Sequence, residues 1–161
     1  AELLVGCMKL KEAGIPFRLI LAGKEQTEGE FLPRFIQSLG DNFSYVGLVS
    51  GKSKCDFLRS LDVLVMPTYF EGLPMSLLEC MSYGIVPVIT PVGSIPEVVV
   101  DGNNGLFIKV KDTDCIVEAI RKINSDRNLL NRLSVNARNT IFSKFSTLQY
   151  ISQLNHIYQE G

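Results

Sequence analysis

Two carboxylates, Glu71 and Glu79, flank the stretch Gly72-Leu73-Pro74-Met75-Ser76-Leu77-Leu78. Before them, Leu61-Asp62-Val63-Leu64-Val65-Met66-Pro67 is an apolar run closed by proline, the pattern of a buried strand that ends there. After them, Met75 to Tyr83 has helical spacing, with Pro74 expected in the first turn, where the N–H it lacks has no partner anyway. A strand, a tight turn and a helix N-terminus together form an anion site, because free amides and the positive end of the helix dipole converge above the turn. A phosphate docked there puts Glu71 beside the group attached to it. Glu79 then lies roughly 7–8 Å further along the helix, at 1.5 Å per residue. That span suits a sugar at one carboxylate, a diphosphate at the amides and a ribose at the other carboxylate.

The run from Glu71 to Glu79, continued by Cys80-Met81-Ser82-Tyr83-Gly84-Ile85-Val86-Pro87-Val88-Ile89, resembles the E-x7-E signature of retaining family 4 glycosyltransferases of GT-B fold. Asp62 to Thr68 resembles the family's strand ending in Pro-Ser. Val92-Gly93-Ser94-Ile95-Pro96-Glu97-Val98-Val99 resembles its Gly-Gly-x-Pro-Glu turn, and Asp101-Gly102-Asn103-Asn104-Gly105-Leu106-Phe107 the segment after it. The matches run in the right order over nearly the whole chain, whereas E-x7-E alone is common by chance.

The resemblance implies a donor site for a nucleoside diphosphate sugar. Glu71 takes the catalytic place, bonding sugar hydroxyls near the reacting centre without attacking it. Glu79 takes the ribose, with Leu77, Leu78 and Met81 turned to the core. Gly72 permits close backbone approach, and Leu73, Met75 and Ser76 act through their amides. Leu48, in Gly47-Leu48-Val49-Ser50, resembles the segment beside the nucleobase, with a plain βα turn as the equal alternative. Gly93 shapes a turn facing the donor. Ser94 stands where the family often has glycine, which puts that loop's conformation in question. Gly23 and Lys24 occupy a Gly-x-Gly-like loop, where Lys24 reads better as an exposed lysine than as a phosphate ligand, and Glu97 reads as structural.

Apolar runs alternate with helical patterns. Strands are expected at Phe17–Ala22, Phe43–Val46, Val63–Met66, Val86–Ile89 and Leu106–Ile108. Helices are expected near Glu2–Ala13, Gly29–Leu39, Lys52–Ser60, Met75–Tyr83, Thr113–Asn124, Leu129–Ala137 and Thr147–Tyr158, the last capped by Ser146. Such alternation implies right-handed crossovers and a mostly parallel, Rossmann-like α/β sheet with helices on both faces. The expectation is one nucleotide-sugar-binding domain over 1–161, the C-terminal half of a GT-B fold, with a helical segment at 126–161.

In the resembled family this half opens with a strand, a Gly-Arg turn and a Lys that grip the donor pyrophosphate. The present chain, starting at Ala1 and not Met, opens at the following helix, Glu2 to Leu10, and reads as truncated. The first strand of a doubly wound sheet is normally central, so its loss leaves an open slot with unpaired backbone groups. Poor stability alone, or a slot filled by another chain, is the expectation.

The chain has 161 residues and a formal charge of −1, which argues against a nucleic-acid binder. No run is long and apolar enough to span a bilayer, and no signal-peptide pattern is present. Cys7, Cys55, Cys80 and Cys115 are scattered and read as reduced thiols of a cytoplasmic protein. Asp112-Thr113-Asp114 looks like a metal-binding D-x-D, but a helix start with capping explains it better, and no metal or cofactor is expected. Basic residues dominate 121–144 (Arg121, Lys122, Arg127, Arg132, Arg138 and Lys144 against Asp126); that face could contact the inner membrane surface peripherally, and a solvated face is preferred. His156 stands alone on the last expected helix, and catalysis by it is not expected.

Two functions compete. The preferred one is the donor half of a glycosyltransferase, inactive alone, whose acceptor glycan or lipid-linked acceptor binds the absent half. The alternative is a non-catalytic nucleotide-sugar-binding module that needs a separate acceptor-binding partner. An upstream reading frame carrying the Arg and Lys favours the first, and a start codon before Ala1 the second. A nucleotide-dependent oxidoreductase fails for want of a G-x-G-x-x-G after a strand.

Overall fold

The computed structural model describes residues 2–24 and 31–145. The expected helix over Thr147–Tyr158, its Ser146 cap and His156 lie outside the described residues. In chain order the elements are α1 (Glu2–Glu12), β1 (Leu19–Leu21), α2 (Phe31–Leu39), β2 (Phe43–Tyr45), α3 (Gly51–Arg59) and β3 (Val63–Met66). Then follow α4 (Met75–Ser82), β4 (Val86–Ile89), α5 (Ile95–Val98), β5 (Leu106–Phe107), α6 (Thr113–Ser125) and α7 (Arg127–Lys144). The expected strands and helices form, β1 being shorter than the apolar run and α7 longer than the expected helix at both ends. Two elements differ from expectation: a short 3-10 turn over Gly40–Asn42 precedes β2, and the Pro-Glu segment expected as a turn is the one-turn helix α5, with Pro96 in its first turn.

Every strand pair is parallel. β1 pairs with β2, and β3 with β4 and then β5, in the order β2-β1 and β3-β4-β5. The two sheets face one another across a cavity of about 690 Å³, lined by Leu19, Ile20 and Leu21 on one edge and Val63, Leu64 and Val65 on the other. The burial pattern records this: β4 is buried throughout, while β1 and β3 are half-buried. This is the slot expected of a sheet without its central strand.

Helix packing joins the two parts. Gly6 of α1 lies so close to α6 that a Cβ there would sit 3.1 Å from Ile116. Lys9 completes the contact, its Nζ reaching Asp114 Oδ1 at 2.7 Å and Thr113 Oγ1 at 2.9 Å. Phe35, Leu39 and Phe43 fill the small core beneath α1 and α2. On the larger sheet, Val86, Val88, Ile116 and Leu133 form the core under α6 and α7. Leu77, Met81, Ile89 and Ile95 form the core under α4 and α5. Asp112 caps α6, its carboxylate accepting the N–H groups of Asp114 (3.0 Å) and Cys115 (3.2 Å).

Carbonyls of Asp62 and Met66 accept N–H groups from Val86 and Thr90 on the β4 side. Alternation along a strand then turns the amides of Val63 and Val65 toward the slot. Likewise the Leu21 carbonyl bonds Val46, which turns Ile20 toward the slot. Amide exchange of Ile20, Val63 and Val65 is expected to run roughly a hundredfold faster or more than that of Val88 in β4, as hydrogen exchange followed by NMR would read. Equal protection would mean that the slot is closed in solution.

Candidate functional site

β3 delivers the chain at Pro67 into the loop 68–74, from which α4 starts. Pro74 is the N-cap and not part of the first turn as expected; its φ of −66° and ψ of 126° are extended. Its carbonyl accepts the N–H groups of Leu77 (3.1 Å) and Leu78 (3.4 Å). The N–H groups of Met75 and Ser76 precede the first turn of helical bonds and point out of the helix end. Both residues are exposed, whereas Pro74 and Leu77 are buried. Helix α4 ends in a Schellman motif, with Ile85 N–H on the Cys80 carbonyl (3.0 Å), Gly84 N–H on the Met81 carbonyl (2.9 Å) and Gly84 at φ 78°.

The loop is held from behind by the turn that follows β4. Thr90 is fully buried, and its hydroxyl donates to the Thr68 carbonyl at 2.6 Å. Gly93 has a φ of 57°, and a Cβ built on it would lie 1.9 Å from the Glu71 carbonyl oxygen and 2.8 Å from that of Gly72. Glycine is therefore demanded twice, by conformation and by space. The Ser94 N–H donates to the Gly72 carbonyl at 3.1 Å. Ser94 itself has a φ of −88°, open to any residue, so its replacement of a glycine leaves the turn unstrained.

Glu71 is half-buried at the base of this turn, with the Thr68 hydroxyl 3.4 Å from its Oε1. Leu73 packs into the core beside Leu77, and Gly72 is exposed. Glu79 lies on α4 with its Oε1 2.6 Å from Lys54 Nζ on α3, both side chains a little over one third exposed. Glu71, Gly72, Leu73, Met75 and Ser76 thus share one loop and helix end, and Glu79 follows one turn on. The Lys54 contact was missed in the sequence, since nothing in it tells that α3 packs beside α4.

The other expected residues stand at neighbouring strand ends. Gly47 (φ 66°) and Gly23 are tied by the Gly23 N–H to Gly47 carbonyl bond at 2.8 Å, and the Tyr45 hydroxyl donates to the Gly23 carbonyl at 2.7 Å. Leu48, just beyond, is 75% exposed. Lys24 is exposed. Glu97 is exposed on α5, and its carbonyl accepts from Lys144. Among the described residues no group of three or more His, Cys, Asp or Glu side chains could hold a metal ion. All four cysteines are free. Burial pushes the Cys7 thiol up to about 12; burial, helped by the Glu79 charge, pushes Cys80 up to about 11. Both stay protonated at neutral pH.

A Gly93→Ala variant is expected to lose about 2 kcal/mol or more of stability, with a matching fall in melting temperature. Thr90→Val should lose about 1 kcal/mol by orphaning the Thr68 carbonyl. A Gly93→Ala protein as stable as wild type would show that the turn does not press on Glu71.

The comparisons agree with this geometry. A family model described as glycosyl transferases group 1 matches residues 1–140. The UDP-Gal:alpha-D-GlcNAc-diphosphoundecaprenol alpha-1,3-galactosyltransferase of Escherichia coli is 27% identical over 103 residues, covering 64% of this chain and 26% of that protein. The capsular polysaccharide biosynthesis glycosyltransferase CapM of Staphylococcus aureus is 24% identical over 157 residues, covering 98% of this chain and 41% of that protein. The solved structure of Anabaena HepE in complex with UDP superposes with a TM-score of 0.84 at 18% identity, covering 99% of this chain and 44% of that one. The chain therefore spans less than half the length of these proteins, and its fold is that of one part of a GT-B glycosyltransferase. It belongs to the glycosyl transferases group 1 family.

Proposed function

We propose that this chain is the donor-binding half of a retaining glycosyltransferase that moves a sugar from a nucleoside diphosphate sugar to a hydroxyl acceptor. The observation that carries this reading is the α4 N-terminus. The amides of the exposed residues Met75 and Ser76 stand between Glu71 and Glu79, on a loop fixed from behind by Thr90 and Gly93. The amides and the helix dipole suit a diphosphate. Glu71 takes the hydroxyls of the donor sugar, and Glu79 those of the ribose. Gly72 lets the diphosphate approach the backbone, Gly93 holds the loop, and Leu48 borders the base. That HepE was solved with UDP supports a nucleotide as a ligand of this fold.

The amides stabilise the departing diphosphate electrostatically, a task that needs no metal ion. The acceptor, a glycan or a lipid-linked sugar, binds through a second half and attacks the anomeric carbon with retention of configuration. By itself the chain binds donor weakly and transfers nothing. The enzyme works in the cytoplasm, peripheral to the membrane where its acceptor is lipid-linked; among the described residues no helix is long and apolar enough to cross a membrane.

Calorimetric titration with UDP, GDP and ADP is expected to give binding for one nucleotide. Glu79→Ala should weaken it about tenfold, the loss of a charge-assisted hydrogen-bond pair. Glu71→Ala should leave the nucleotide affinity unchanged and weaken the nucleotide-sugar only. Nucleotide binding indifferent to Glu79 would move the site elsewhere.

A further inference from the structure

We infer that Lys54 is a positioning residue of the ribose subsite: it holds the Glu79 carboxylate in the orientation that receives the two ribose hydroxyls. The inference rests on the reading of Glu79 given above. Glu79 does not stand free on its helix. Its Oε1 is 2.6 Å from Lys54 Nζ, a short, charge-assisted contact across 25 residues of sequence, with both side chains partly buried. Lys54 is itself fixed at the start of α3. Its N–H donates to the Ser50 carbonyl (3.3 Å), and that turn is braced by Ser53 Oγ, which accepts from Ser50 N–H (3.2 Å) and donates to its carbonyl (2.8 Å).

A glutamate alone has three side-chain torsions to order on binding, which costs affinity. An ammonium anchored on a second helix removes that freedom in advance. It does not exhaust the carboxylate, which has about four acceptor sites; with Lys54 on Oε1, the other sites remain for a ligand. A plain brace between α3 and α4 would need no ligand and would show no preference among ligands.

The test measures the affinity of this chain for UDP, ADP and GDP, each beside its 2′,3′-dideoxy counterpart, by ligand-observed NMR titration. The variants are Lys54→Met, which keeps the aliphatic stem, and Lys54→Arg, with circular dichroism confirming their fold. Wild type is expected to prefer one ribonucleotide over its dideoxy form. Lys54→Met should weaken the ribonucleotide about three- to tenfold, leave the dideoxy form unchanged, and so erase the preference; Lys54→Arg should restore it. An equal loss on both forms, or an intact preference in Lys54→Met, overturns the positioning role and leaves Glu79 as the ribose ligand. A wild type without any preference, or without binding to the three nucleotides, removes the Glu79 reading and this inference with it.

Discussion

The site depends on one close approach, that of Gly93 to the carbonyl oxygens of Glu71 and Gly72. A loop that presents amides to an anion has its own carbonyls to dispose of, and they must point away from the ligand. Here the Gly72 carbonyl is taken by the Ser94 N–H and the Thr68 carbonyl by the buried Thr90 hydroxyl. The loop after β3 is thus clamped by the turn after β4, and two strand ends act as one support. What faces outward is then donor-rich: the Met75 and Ser76 amides at the start of a helix whose positive end is uncapped by any side chain. A capping Ser or Asp at position 74 would fill that end with its own oxygen. Proline leaves it open.

The same clamp needs a rigid base, which comes from β4. It is paired on both sides and buried at all four positions, with α6 and α7 over one face and α4 and α5 over the other. The β1–β2 part is less well anchored. It reaches the larger sheet through α1 on α6, where glycine allows contact and Lys9 bridges to Asp114. The loop at Gly47 and Leu48 therefore rides on a part tied to the larger sheet by side-chain contacts across the slot, Lys9 with Asp114 and Tyr69 with Glu2 among them. A rigid support beneath Glu71 and a less constrained edge near Leu48 is the consequence.

Much of this was legible in the residues. Strict alternation of apolar runs with helical spacing places the five strands, because a strand buried on both faces must be apolar throughout. Glu71 and Glu79 stand out in the sequence because Pro67 and Pro74 bracket a turn at a strand's C-terminal edge, where open parallel sheets present ligands. What was not legible depends on contacts between distant segments. The N-cap role of Pro74 differs from a first-turn role by one residue, which spacing does not resolve. Thr90 reads as an ordinary strand-end threonine until β3 and β4 are paired in register. Helix α5 is a single turn, too short for any periodicity. Lys54 lies 25 residues from its partner, and only the packing of α3 beside α4 makes it more than a surface lysine.

The charges near α4 bear on the proposed donor site. A nucleoside diphosphate brings at least two negative charges to a place that already holds two carboxylates. Against them stand a helix end worth about half an elementary charge and Lys54, which is committed to Glu79. Lys24 is exposed at the neighbouring strand end. Amides can orient a diphosphate but cannot neutralise it, and a leaving group that gains charge in the transition state needs more than orientation. The slot between β1 and β3, which Ser76 also lines, opens beside this excess of negative charge.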